Sequence, residues 1–152
     1  MANEAPSEEL LLNRYSRQML IPHVGIDGQL ALSSASVVVI GAGGIGSTVL
    51  LYLAGAGIGT IEVVDFDKVE LTNLHRQVIH DTDSVGKFKS TSAIDRLRKQ
   101  NDSITITESR VKLGVENAID ILRPFDLVVD ATDNFNGNYD LICLALQYVP
   151  FP

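Results

Sequence analysis

The sequence holds a single cysteine, Cys143, so no disulfide can close within the chain and no structural zinc site can be built from its own thiolates. A reducing compartment is the expected setting. Basic residues are also scarce: 12 Lys and Arg stand against 19 Asp and Glu, giving a formal charge of -7 and a pI near 4.8. Nucleic acid and anionic membrane surfaces both call for a basic face, so neither is expected as the main partner, whereas a protein with a basic face stays open. Long apolar runs are missing too, and none reaches the ~18 residues of a membrane span. The acidic opening MANEAPSEE lacks the charged-then-apolar order of a signal peptide. The chain reads as cytosolic, with no nucleic acid and no membrane among its partners.

What is present is organised around residues 36–65, SVVVIGAGGIGSTVLLYLAGAGIGTIEVVD. A strand (Val37 to Ile40), a glycine turn, a buried helix (Ile45 to Ala56) and a second strand (Ile61 to Val64) ending on an acid make a βαβ unit. Gly41 allows the tight turn, Gly43 lets backbone approach a phosphate chain, and Gly46 lets the helix pack closely on the strand. The helix N-terminus then points unpaired N–H groups at an anion. Asp65 follows Gly46 by 19 residues, where a carboxylate can accept from ribose hydroxyls. The unit is suited to a nucleotide, and NAD, FAD and ATP are all compatible with it.

At 152 residues and 45% hydrophobic, the chain is long enough for one domain with a real core and too short for two. Residues 1–6 read as a disordered lead and 7–152 as a single nucleotide-binding domain. Ser7 followed by Glu8 and Glu9 signals a helix start, running to a stop at Pro22 with Leu11, Tyr15 and Met19 as a packing stripe. Ile26 to Ser34 fits a second short helix. After Asp65 the chain inserts a long polar segment carrying Asp67, Asn73, His75, Arg76, Gln77 and His80, more than a βα connection of 2–6 residues needs, and such segments usually line a site. Lys87 to Lys99 is a predicted helix whose early cations, Lys87 and Lys89, oppose the helix dipole unless an anion lies near. Ile104 to Thr107 alternates as a strand with one buried face. Val115 to Leu122 is a predicted helix, Leu127 to Val129 a further strand, and Asn134 to Tyr148 a final helix. Asp133 falls just past that strand, at the ligand side of a parallel sheet, where it is either a site residue or a helix N-cap. The expected architecture is α/β: a Rossmann-like open, mostly parallel sheet with helices on both faces and an N-terminal helical extension. Its first two strands are adjacent, the third beyond the second and the fourth on the other side of the first.

RYSRQ (14–18), GAGGIGS (41–47), VVDFDKVELTNLHRQ (63–77), VGKFKS (85–90) and DATDN (130–134) together resemble the ThiF/MoeB superfamily, the adenylating domains that activate ubiquitin-like and sulfur-carrier proteins. The LTNLHRQ form and the GAGGIGS loop are most similar to the eukaryotic MoeB-like activators of molybdopterin synthase and tRNA-thiolation carriers. The resemblance implies ATP and magnesium, with adenylation of the C-terminal glycine of a ubiquitin-like or sulfur-carrier protein ending in Gly-Gly. It implies that Asp65 holds the ribose and Gly41, Gly43, Gly44 and Gly46 the phosphates. Asn73, Arg76 and Lys89 would lie along the triphosphate, Asp133 would bind magnesium, and Arg17 would be supplied across a homodimer interface. No general base is required, so His75 and His80 read as loop-packing or solvent residues. The sequence also departs from the family: Asn138 stands where an Arg is usual, no Cys-x-x-C zinc pair occurs, and the chain corresponds to the nucleotide-binding half of such an enzyme. Cys143, in the apolar stretch LICLAL, reads as a core residue rather than a nucleophile. Two other readings use the same residues. One is a nicotinamide or flavin oxidoreductase, and the other a non-catalytic nucleotide-binding or assembly module.

Overall fold

A computed structural model describes residues 7–133 of the chain. Helix α1 (Glu8–Met19) is capped by Ser7, whose hydroxyl accepts from the Leu10 N–H, and α2 (Gly25–Ser34) follows it. Then come β1 (Ser36–Ile40), α3 (Gly44–Ala56), β2 (Thr60–Val64), α4 (Lys89–Gln100), β3 (Thr105–Ser109), α5 (Ala118–Leu122) and β4 (Leu127–Asp130). The sheet runs β3-β2-β1-β4 with every pairing parallel, which is the expected order.

Central β1 explains that order. Its SVVVI run is buried on both faces, as a strand flanked by parallel neighbours and covered by helices must be. Val37 and Val39 face α3 and α4 in a core with Leu50, Ala54, Ile61, Val63, Ala93 and Leu97. Val38 and Ile40 face the opposite side, where Leu113, Ala118 and Leu122 close a smaller core beneath α5. Helices therefore cover both faces, and each buried Val or Ile stabilises the fold by about 1.5–3 kcal/mol. The start of β4 is fastened to the start of β1: Ser36 donates through its N–H (2.7 Å) and its hydroxyl (2.6 Å) to one oxygen of Asp126. Those hydrogen bonds hold the Asp126 carboxyl below the usual range.

The α1 helix is tied down by polar contacts as well as by its Leu11 and Tyr15 stripe. Asn101, fully buried, donates to the Tyr15 hydroxyl (2.9 Å) and to the Ala54 carbonyl (2.7 Å). Arg14 reaches the C-terminal end of α4, donating to the Gln100 carbonyl (3.0 Å) and pairing with Asp102 (3.3 Å). A guanidinium suits the carbonyl end of a helix.

Most element boundaries fall within one residue of the sequence expectation, and three depart by two or more. The helix predicted from Lys87 begins at Lys89, because Phe88 is extended (φ -62, ψ 140) and Lys68 and Phe88 form an antiparallel bridge that holds the preceding segment out of the helix. The helix predicted from Val115 begins at Ala118, because the Asn117 side chain accepts from Gly114 N–H (2.8 Å) and donates to the Lys112 carbonyl (3.0 Å), making a turn instead. Strand β3 continues to Ser109, two residues past the predicted end. The predicted lead at 1–6, the helix at 134–148, Asn138 and Cys143 lie outside the described residues.

Candidate nucleotide site

At the C-terminal ends of β1, β2 and β4 lies a cleft of about 810 Å³. Its floor is the glycine loop. Gly41 has φ +94, a conformation that L side chains rarely adopt, and its N–H donates to the Val64 carbonyl at 2.8 Å. Gly43 precedes the first residue of α3, and its carbonyl accepts from the N–H of Ser47 (2.9 Å) and from the Ser47 hydroxyl (2.5 Å). At Gly46 an added Cβ would lie 1.9 Å from the Gly41 carbonyl oxygen, so the loop and the first turn of α3 touch backbone to backbone.

The second wall is the segment after β2. Asp65 is buried, and its two oxygens are held by backbone: Oδ2 accepts from Ala42 N–H and Oδ1 from Asp67 N–H, both at 2.8 Å. A carboxylate has about four acceptor positions, so each oxygen keeps room for another donor. Lys89, with only 11% of its side chain exposed, places Nζ 3.1 Å from Asp67 Oδ2. That pairing offsets the unfavourable position of a cation on the first residue of α4. Glu70 and Asn73 cap the short 3-10 turn Leu71–Asn73 reciprocally, which leaves Asn73 Oδ1 accepting from Glu70 N–H. Arg76 is exposed and rests on the Thr72 carbonyl (3.3 Å). Gln77 is buried at the cleft wall, and its Oε1 has no hydrogen-bond partner among the described residues.

Gly41, Gly43, Gly44, Asp65, Asn73, Arg76, Lys89 and Asp133 all line this one cleft. Gly46 sits behind the loop, where it sets the approach of α3. Arg17, exposed on α1, is not among the lining residues, and its side chain makes no hydrogen bond or ion pair with a described residue. The cleft also contains Phe66, Lys68 and Lys112, which sequence reasoning did not single out. Exposed lysines carry no periodic signal, and only the fold brings residues 68 and 112 to one rim. Lys68 and Arg110 lie over the Phe88 ring, 5.4 and 5.0 Å from its centroid. Below the floor, His80 is buried between the loop and α4. Burial pushes its imidazole below the usual range and the nearby Lys89 charge adds to this, against the raising effect of its bond to Ala42. Among the described residues no cluster of three or more His, Cys, Asp or Glu is arranged to hold a metal ion, and no helix is long and apolar enough to cross a membrane.

Residues 15–149 match the model of the ThiF family. The chain is 52% identical over 128 residues to a sulfur carrier protein adenylyltransferase of Thermus thermophilus, covering 84% of this chain and 47% of that protein. It is likewise 52% identical over 136 residues to the adenylyltransferase and sulfurtransferase MOCS3 of Anopheles gambiae, covering 88% of this chain and 31% of the relative. Among solved structures it is similar to the tRNA N6-threonylcarbamoyladenosine dehydratase TcdA of E. coli in complex with ATP. The TM-score is 0.86 at 25% identity, over 99% of this chain and 60% of that one. The chain thus spans less than half the length of these two sequence relatives. With the parallel sheet, the glycine loop and a family match over most of its length, the chain belongs to the ThiF family.

Proposed function

We propose that this chain carries the ATP-binding part of an adenylating enzyme that activates the C-terminal glycine of a ubiquitin-like or sulfur-carrier protein ending in Gly-Gly. The observation that carries the reading is the convergence of Gly43, Gly44, Asp65, Asn73, Arg76 and Lys89 on one cleft at the strand ends. The names of the relatives, sulfur carrier protein adenylyltransferase among them, support the same chemistry.

Asp65, fixed by two backbone amides, would accept from the ribose hydroxyls. The N-terminal turn of α3 would face the phosphates. Asn73, Arg76 and Lys89 would lie along the triphosphate, where positioned donors stabilise the charge that builds on departing pyrophosphate. The glycine carboxylate of the carrier, already ionised at pH 7, attacks the α-phosphorus; the bond from that phosphorus to the bridging oxygen breaks, giving acyl-adenylate and pyrophosphate. Lys68, Arg76, Lys89 and Lys112 in the cleft lining are matched by Asp65, Asp67, Glu70 and Asp133, so the lining carries no surplus of cations for a polyphosphate. A divalent ion fits that balance. Asp133, exposed and without a hydrogen bond to a described residue, would hold magnesium, which typically uses one or two carboxylates plus substrate phosphates. When bound, magnesium supplies neutralisation of phosphate charge.

Arg17 is read as donated to the site of a second copy in a cytoplasmic homodimer. Exposed Tyr52 on α3 and Leu127 on β4 support association. The test is thermal melting of the chain with MgATP and with NAD. A ligand at a hundred times its dissociation constant raises stability by about 2.7 kcal/mol. The reading expects a rise with MgATP, and pyrophosphate exchange with a glycine-tailed carrier that Arg76→Ala or Lys89→Ala abolishes. A rise with NAD alone would replace it with an oxidoreductase, and MgATP binding without exchange would replace it with a binding module.

A further inference from the structure

The Ala42 residue is gripped from both sides. Its N–H donates to Asp65 Oδ2 at 2.8 Å, and its carbonyl oxygen lies 3.0 Å from His80 Nε2. A carbonyl only accepts, so Nε2 carries the proton, and Nδ1 accepts from the Ser92 hydroxyl at 2.9 Å. Ser92 is a buried residue of α4, the helix that also carries Lys89. His80 therefore joins the glycine loop to α4 through two hydrogen bonds, buried where His75 is exposed.

The peptide that His80 grips is the one between Ala42 and Gly43. In a planar trans peptide the C=O and N–H point in opposite directions. With the carbonyl turned inward to His80, the Gly43 N–H is turned away from it, on a residue that lines the cleft. That N–H makes no hydrogen bond to a described residue. A glycine peptide is free to flip, and the donor direction is lost when it does.

We infer that His80 is a positioning residue: by holding the Ala42 carbonyl it fixes the Gly43 N–H toward the cleft as a donor for the phosphate chain of the bound nucleotide. The functional half of this inference rests on the adenylating reading above, while the positioning half concerns the chain alone. Burial keeps the imidazole neutral, which preserves Nδ1 as the acceptor for Ser92.

Two substitutions separate this role from packing. In His80→Gln the side-chain amide places an N–H near the original Nε2 position; in His80→Asn it reaches only to the Nδ1 position, toward Ser92. The amide resonance of Gly43 is followed in the 15N-labelled chain without ligand, and MgATP and adenosine are titrated by calorimetry. His80→Gln is expected to keep the Gly43 resonance and the MgATP affinity. His80→Asn is expected to move or broaden that resonance and weaken MgATP about tenfold, the loss of one aligned hydrogen bond, while adenosine affinity changes less than about twofold. Equal Gly43 resonances in the two variants and the wild type would overturn the inference, as would an equal loss of MgATP and adenosine. If the wild type binds no MgATP, the adenylating reading falls, and the Gly43 resonances still decide the positioning. Should His80→Asn not fold, His80→Gln decides: a folded variant that loses MgATP affinity refutes the role.

Discussion

Replacing Gly46 by alanine tests whether the cleft floor depends on close approach or on glycine flexibility. Gly46 is not among the residues with positive φ, so its backbone accepts alanine without strain. Only space is at issue, and the added Cβ would lie 1.9 Å from the Gly41 oxygen and 2.9 Å from its carbonyl carbon. Relief requires more than an ångström of movement between α3 and the end of β1. The loop cannot yield easily, because Gly41 is bonded to Val64, and Ala42 to Asp65 and His80. Overpacking of this kind costs about 1–3 kcal/mol or more, and the helix preference of alanine over glycine, worth about 1 kcal/mol, opposes it. A net loss of about 2 kcal/mol lowers the melting midpoint by about 4–8 °C in a domain of this size. Gly55 lies in the same helix and serves as the control. A Cβ there meets Gln100 Nε2 at 3.1 Å, a side-chain end that donates to the Leu51 carbonyl and need give only a few tenths of an ångström, so Gly55→Ala is expected to change stability by less than about 1 kcal/mol. Calorimetric melting of both variants, with and without MgATP, is the assay. A Gly46→Ala chain that melts at or above the wild-type midpoint would refute the reasoning, and so would one that melts lower while binding MgATP with unchanged affinity.

Lys89→Met should change unliganded stability by less than about 1 kcal/mol, since the pair with half-exposed Asp67 is offset by the helix dipole, yet it should abolish the thermal response to MgATP; a retained response removes Lys89 from the site. Because the His80 pKa is lowered on folding, the unfolded chain binds the proton first, and stability falls as pH drops below about 6.5, by at most about 1.4 kcal/mol per pH unit. Lys89, Asp65 and Asp81 all act on this imidazole, so the comparison is between wild type and His80→Gln, whose melting midpoint should fall less between pH 7.5 and 5.5; identical slopes would exclude His80 as the cause. Asn101→Ala leaves the buried Ala54 carbonyl without that donor and frees Tyr15, for an expected loss of about 1–3 kcal/mol in urea unfolding, and a change below about 0.5 kcal/mol would show that α1 is held by its apolar stripe alone.

The βαβ unit was legible because its signals are local. The glycine spacing, the unbroken SVVVI run and the acid after β2 each occupy a few residues and demand one backbone path. The strand order followed from that unit and from the short alternating and apolar runs at β3 and β4. Polar contacts that bridge distant segments were not legible. Nothing in the sequence joins Arg14 to Asp102, Asp67 to Lys89, or His80 to Ala42, because such pairs depend on where the packed helices bring side chains. His80 read as a loop-packing or solvent residue for the same reason: its two partners are a backbone carbonyl and a serine, neither of which marks itself in a sequence. The early start expected for α4 failed where a bridge between Lys68 and Phe88 outweighed helix propensity.

The strand order also sets a timetable. The β1 strand acquires one neighbour, β2, after a single helix, but its other edge waits for β4, whose anchoring Asp126 lies 90 residues beyond Ser36. At a synthesis rate of roughly 5–20 residues per second, that edge of SVVVI stands open for about 5–18 s while the rest of the segment emerges. An unpaired, uncharged, β-branched edge is the kind of surface on which chains join wrongly. The interval between β1 and β4 is then a period of synthesis in which this inner edge is open to wrong pairing, whereas in the finished fold it is covered by β4.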